Sequence, residues 1–159
     1  MYPCEIKESP AQPTMVIRFR SAVQDLPAHF AKVYAEISAY LAELEGAEPQ
    51  EVFAAYHNMD MQNLDIEAGF TLRQPLPGKG EIRPGTVPAG FYAICHYTGP
   101  YSEMPAAWEE LMEFTHSHGY SPHSMIYYEW YLTDPEVAPQ DLKTDLMLPV
   151  VHITERFVL

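Results

Sequence analysis

The chain has 159 residues, 47% of them hydrophobic and 19% charged, a length and composition that suit one folded domain with its own core and exclude the disordered class. Nine Lys and Arg against 22 Asp and Glu leave a formal charge of −13, which repels phosphate backbones and argues against direct nucleic-acid binding. The same field concentrates cations in any cleft it lines, so a cationic ligand is favoured over an anionic one.

Residues 1–10 carry Glu5, Lys7 and Glu8 with no apolar stretch, so neither a signal peptide nor a membrane span is expected there, and no later apolar run reaches membrane length. Cys4 and Cys95 are the only cysteines, too few and too far apart in the chain for a disulfide framework or a zinc ribbon. A reducing cytoplasm is the expected compartment.

Residues 15–23 are β-branched or aromatic with alternating arginines, which predicts a strand with Arg18 and Arg20 on its wetter face. A helix is expected next, with Asp25 as N-cap and Pro27 in the first turn. Its apolar stripe is Phe30, Val33, Tyr34, Ile37, Leu41 and Leu44, and Gly46 closes it. Residues 51–59 and 64–72 alternate as a hairpin, followed by a Pro- and Gly-rich linker over 74–85 with a short strand around 81–83.

The second half repeats this order. A strand over 86–98 leads through Gly99-Pro100 to a helix over about 102–118, capped by Ser102 and ended by Gly119, and then to strands over 125–133 and 143–150. The helix starts align at a constant offset, with Asp25-Leu26-Pro27-Ala28 over Glu103-Met104-Pro105-Ala106, Phe30 over Trp108 and Val33 over Leu111. The expected fold is therefore α+β: one domain over 1–159, built from two β-α-β-β units (about 15–73 and 86–151) related by a pseudo-two-fold axis. Both helices should cover one face of an antiparallel sheet, with a ligand cleft on the other.

Period two along the strand at 125–133 separates Tyr127, Glu129 and Tyr131 from Ile126, Tyr128, Trp130 and Leu132. The apolar set suits the helix side, which points Glu129 to the open side between two tyrosines. There, partial desolvation should raise its pKa unless a cation or a hydrogen-bond donor compensates, so it could serve as a counter-ion or a general base. The bland alternative is that Glu129 pairs with an arginine such as Arg18, Arg20 or Arg73 on a neighbouring strand.

Along 90–98 the alternation splits Phe91, Ala93, Cys95 and Tyr97 from Tyr92, Ile94 and His96, without saying which set faces the cleft. Small Ala93 and Cys95 suggest the helix side for the first set, which directs Tyr92 and His96 to the ligand, with Tyr101 at the rim. Met147 on the last strand joins the candidate lining. Gly69 reads either as room for a ligand ring or as a bulge glycine. Most other aromatics, Trp108 and Trp130 included, are assigned to packing.

No cofactor and no metal are expected. His116 and His118 diverge on a helix, and no carboxylate joins them or His123 at ligand spacing. Pro77-Gly78-Lys79-Gly80 lacks the phosphate-loop spacing, and no Gly-x-Ser-x-Gly elbow occurs.

The segments Val87-Pro88-Ala89-Gly90-Phe91-Tyr92-Ala93, His96-Tyr97-Thr98-Gly99-Pro100-Tyr101, Tyr128-Glu129-Trp130-Tyr131-Leu132-Thr133-Asp134-Pro135 and Leu148-Pro149-Val150 together resemble the GyrI-like family, the effector-binding module of MerR-type and AraC-type regulators. The resemblance implies an aromatic cleft in which a glutamate, here Glu129, faces a hydrophobic, often cationic, aromatic molecule. The chain starts almost at its first strand, so a stand-alone member without a helix-turn-helix is expected.

Three functions follow from that resemblance. The first is capture of a hydrophobic aromatic or cationic small molecule for sequestration or detoxification. The second is hydrolysis of strained cyclopropane-containing electrophiles, with Glu129 as general base and Tyr97, or else Tyr92 or Tyr131, hydrogen-bonding the developing oxyanion. The third is modulation of a protein partner in the manner of gyrase inhibitors.

Overall fold

Short apolar alternations punctuated by Gly and Pro produce strands, and the two amphipathic stretches produce helices. The computed structural model describes residues 2–134 and 136–153 and has this α+β make-up. In chain order the elements are β1 (Cys4–Ser9), β2 (Gln12–Ser21), α1 (Leu26–Glu43), β3 (Val52–Tyr56), β4 (Leu64–Thr71), β5 (Arg83–Val87), β6 (Gly90–Thr98), α2 (Met104–Ser117), β7 (Tyr120–Pro122), β8 (Tyr127–Tyr131) and β9 (Lys143–His152). Two compact units result: Ala11–Pro88 makes the first, and the segments on either side of it make the second.

In the first unit the strands run β3-β4-β2-β5. Antiparallel register sets Met15 against Phe70, Ile17 against Ala68 and Phe19 against Ile66, so these side chains share one face. That face meets α1, where Phe19 packs edge-on to Phe30 and Tyr34 packs edge-on to Phe70. Val33, Ile37, Tyr40 and Leu41 form the buried stripe of the helix at helical spacing. Tyr40 also donates a hydrogen bond of 2.7 Å to the Pro77 carbonyl, which ties the Pro-rich segment to α1.

Arg18 and Arg20 lie on the opposite face, as their alternation requires. Arg18 grips Asp65 through Nε and Nη2 at 2.9 and 2.8 Å, and Arg20 reaches the same carboxylate at 3.5 Å. The Arg18 guanidinium holds the Asp65 carboxyl below the usual carboxylate range.

In the second unit the strands run β1-β6-β9-β8, with β7 added on β9. One face, made by Ala93, Cys95 and Tyr97 of β6 and Leu146, Leu148 and Val150 of β9, packs under Met104, Ala107 and Leu111 of α2. Burying each large aliphatic side chain there contributes about 1.5–3 kcal/mol, which is what holds the helix to the sheet.

Several sequence expectations are corrected. Both helices begin through a 3-10 turn, Val23–Asp25 and Tyr101–Glu103, and neither Asp25 nor Ser102 caps with its side chain. Backbone bonds from Asp25 N to Ala22 O and from Glu103 N to Pro100 O close those turns instead. The strand expected over 86–98 is two strands. Pro88 supplies no donor, and Gly90 adopts φ +152°, so the chain leaves β2, where β5 pairs, and re-enters the other unit as β6. β1 and β7, not anticipated, are paired strands.

Candidate functional site

The site begins with register. β8 pairs with β9 so that Glu129 faces Leu146 and Tyr131 faces Thr144, and β9 pairs with β6 so that Leu146 faces Cys95. Residues directly opposite share a face, so Glu129 lies in one row with Leu146 and Cys95, on the face that α2 covers. The expectation that Glu129 points to the side away from the helix is overturned. Tyr128 and Trp130, assigned to the helix side, occupy the opposite face, where Tyr128 meets Tyr92 edge-on at 6.2 Å.

On the helix face, Trp108 of α2 directs Nε1–H at Glu129 Oε2 over a long 3.4 Å, and Tyr131 donates its hydroxyl to Oε1 at 2.8 Å. Tyr127 packs edge-on to Trp108 with ring centroids 5.0 Å apart, and Tyr101, from the turn before α2, packs edge-on to Tyr131 at 6.2 Å. Burial and then the Glu129 charge push the Tyr127 hydroxyl up to about 12, and the same two causes raise Tyr101. One carboxylate thus sits among four aromatic rings from β8, α2 and the turn that starts it.

Of the arginines named as candidate partners for Glu129, Arg18 and Arg20 hold Asp65, and Arg73 lies 3.9 Å from Glu48. Trp108 was assigned to packing alone, and its contact with the carboxylate was missed. A signal for it existed, because a partly buried indole N–H needs an acceptor, and Glu129 is a carboxylate on an apolar strand.

The other expected site residues separate. Tyr97 is on the helix face but almost fully buried, and its hydroxyl donates to the Pro100 carbonyl. That proton is committed to the turn beneath α2, which takes Tyr97 out of the proposed oxyanion role. Gly69, read as room for a ligand ring or as a bulge glycine, is neither: it pairs in regular register with Val16 and Phe53, and a Cβ there would lie 1.9 Å from the Met15 carbonyl oxygen. Tyr92, His96 and Met147 gather on the face opposite Glu129, with Tyr92 and Met147 buried.

His96 bridges two carboxylates there, with Nε2 2.6 Å from Glu5 and Nδ1 2.7 Å from Asp145. The hydrogen bond to Glu5 raises its pKa above the ordinary 6.5, against an opposing effect of burial, and Asp145 adds to the rise. A raised folded value means that this cluster stabilises the fold fully below the unfolded pKa and that the contribution is lost as pH climbs through the folded value. NMR titration of the imidazole should give a midpoint above 6.5 in the native protein and a lower one in Glu5→Gln. A native midpoint at or below the ordinary value would refute the bridge.

Among the described residues no group of three or more His, Cys, Asp and Glu side chains could hold a metal ion, and no helix is long and apolar enough to cross a membrane.

Comparison with known proteins places the chain in a family. A stretch of 53 residues is 38% identical to DNA gyrase inhibitor 2 of Dickeya dadantii (strain 3937), covering 33% of this chain and 34% of that protein, about a third of its length. The EcmrR C-terminal domain superposes with a TM-score of 0.84 at 19% identity, over 96% of this chain and 99% of that one. In the complex of EcmrR with DNA, the match (TM-score 0.83, 20% identity) takes 95% of this chain but only 58% of the EcmrR chain. SAV2435 bound to tetraphenylphosphonium superposes with a TM-score of 0.65 at 12% identity, over 98% of each chain. The family model described as the GyrI-like small molecule binding domain matches residues 2–151, and so the chain belongs to the GyrI-like family of small-molecule-binding domains.

Proposed function

We propose that this domain captures a hydrophobic aromatic cation, with Glu129 as counter-ion and Tyr101, Trp108, Tyr127 and Tyr131 as the walls. The observation that carries the reading is a carboxylate whose two oxygens face neutral donors, an indole N–H and a phenol, among four rings. An indole N–H and a phenol position a carboxylate while adding no positive charge of their own. A delocalised cation between such rings gains about 0.5–2 kcal/mol per favourable contact, so a few walls and one counter-ion reach micromolar affinity.

The acidic surface adds to the same preference by concentrating cations around the domain. SAV2435, a neighbour in fold, is bound to tetraphenylphosphonium, a cation of this chemistry.

Equilibrium titration with tetraphenylphosphonium, followed by tryptophan fluorescence, tests the proposal against neutral triphenylphosphine oxide. The cation is expected to bind in the micromolar range and at least about tenfold more tightly than the neutral compound. Equal affinities, or no binding of the cation, would overturn the reading.

A further inference from the structure

The two cysteines of the chain are 91 positions apart in sequence, yet they are direct cross-strand partners, Cys4 on β1 and Cys95 on β6. The neighbouring pair is hydrogen-bonded, His96 N donating to Pro3 O at 2.8 Å, so by the alternation of an antiparallel ladder Cys4 and Cys95 form a non-hydrogen-bonded pair. Such pairs bring Cα atoms to about 4.5 Å and Cβ atoms to about 4.5–5.5 Å, where a disulfide needs Cα separations of about 4.4–6.8 Å and Cβ separations near 4 Å. Only a small approach of the side chains is required.

The two side chains share one face of the ladder, and the Cys4 thiol points to the Tyr2 carbonyl at 3.5 Å. Cys95 is fully buried under α2 while Cys4 is partly exposed on the edge strand of its unit, so a reagent reaches one sulfur and not the other.

We infer that Cys4 and Cys95 are a redox-modifiable thiol pair that closes into an intramolecular disulfide, stapling β1 to β6, when the protein meets a small-molecule disulfide such as oxidised glutathione. Cys4 loses its proton and attacks one sulfur of the reagent. The reagent's S–S bond breaks, one glutathione leaves as thiolate and takes up that proton, and a mixed disulfide remains on Cys4. Cys95 then gives up its proton and attacks the Cys4 sulfur, expelling the second glutathione, which takes up the proton. Two protein thiols are oxidised by two electrons, and one glutathione disulfide is reduced to two thiols.

Burial sets the pace. It pushes the Cys95 thiol up to about 12 and raises Cys4 as well, so little thiolate is present near neutrality and the reaction is slow in the closed sheet. Opening of the edge strand β1 speeds the first step, and the finished bond prevents that opening.

The full chain is incubated with oxidised glutathione, alkylated and mapped by mass spectrometry, with thermal unfolding recorded before and after. The expected product is a Cys4–Cys95 disulfide within one chain, reversed by dithiothreitol, with a transition midpoint raised by roughly 5–15 °C because the closed loop is long. Cys4→Ser, which keeps a small polar group at a partly exposed position, should fold, show neither the bond nor the shift, and leave Cys95 unmodified. A stable glutathione adduct on Cys4 as the end product, disulfide-linked dimers, or two freely alkylated thiols after prolonged oxidation would each overturn the inference.

Discussion

Glu129→Gln is expected to weaken tetraphenylphosphonium binding by about 10- to 100-fold while changing the affinity for triphenylphosphine oxide by no more than about twofold. Glutamine keeps the volume of glutamate and an oxygen able to accept the Tyr131 hydroxyl, so the ring arrangement around it persists and only the charge is removed. A unit charge about 4 Å from a ligand cation is worth up to about 4 kcal/mol at the effective dielectric of a partly exposed site. Desolvation of both ions and screening reduce that to the range implied by the stated loss. An affinity for the cation within about twofold of native would show that the rings alone bind and that Glu129 is not the counter-ion. An equal loss for the neutral compound would show that the substitution had disturbed the walls.

Gly69→Ala is expected to be the most destabilising single methyl group in the first unit. The added Cβ would lie 1.9 Å from the Met15 carbonyl oxygen and 2.9 Å from Val16 Cα, both backbone atoms of β2. Those atoms are fixed by the ladder that pairs Met15 with Phe70 and Val16 with Gly69, and by β5 on the other side of β2, so the collision cannot be relieved by turning a side chain. The cost is about 3–5 kcal/mol, a fall of roughly 6–20 °C in the unfolding midpoint for a chain of this size, measured by calorimetry. A soluble variant melting within about 2 °C of native would mean that the two backbones are not held this closely.

Much of the architecture is legible from spacing. The stripes of the two helices, the constant offset between their starts and the alternation of β2, β4, β6 and β9 are all periodic signals, and the structure follows them. β1 escaped because Glu5, Lys7 and Glu8 make it read as a polar tail, whereas such charges are what an exposed edge strand carries to discourage further pairing. β7 escaped because its three residues are too few to show any period. Gly69 was ambiguous because a missing side chain marks both an opening and a close approach, and only the position of the β2 backbone separates the two.

The linear chain alone determined that Glu129 shares a strand face with Tyr127 and Tyr131, since successive side chains of a strand must point to opposite sides. Which of the two faces lies beneath α2 was decided only in three dimensions, and the assignment by hydrophobicity went the wrong way. Tyr128 and Trp130 are 5% and 3% exposed on the face opposite the helix, so both faces of β8 look apolar, and burial cannot identify the helix side. The deciding facts are the cross-strand row from Cys95 through Leu146 to Glu129 and the indole of Trp108 above it, contacts between residues far apart in the chain that no local period encodes.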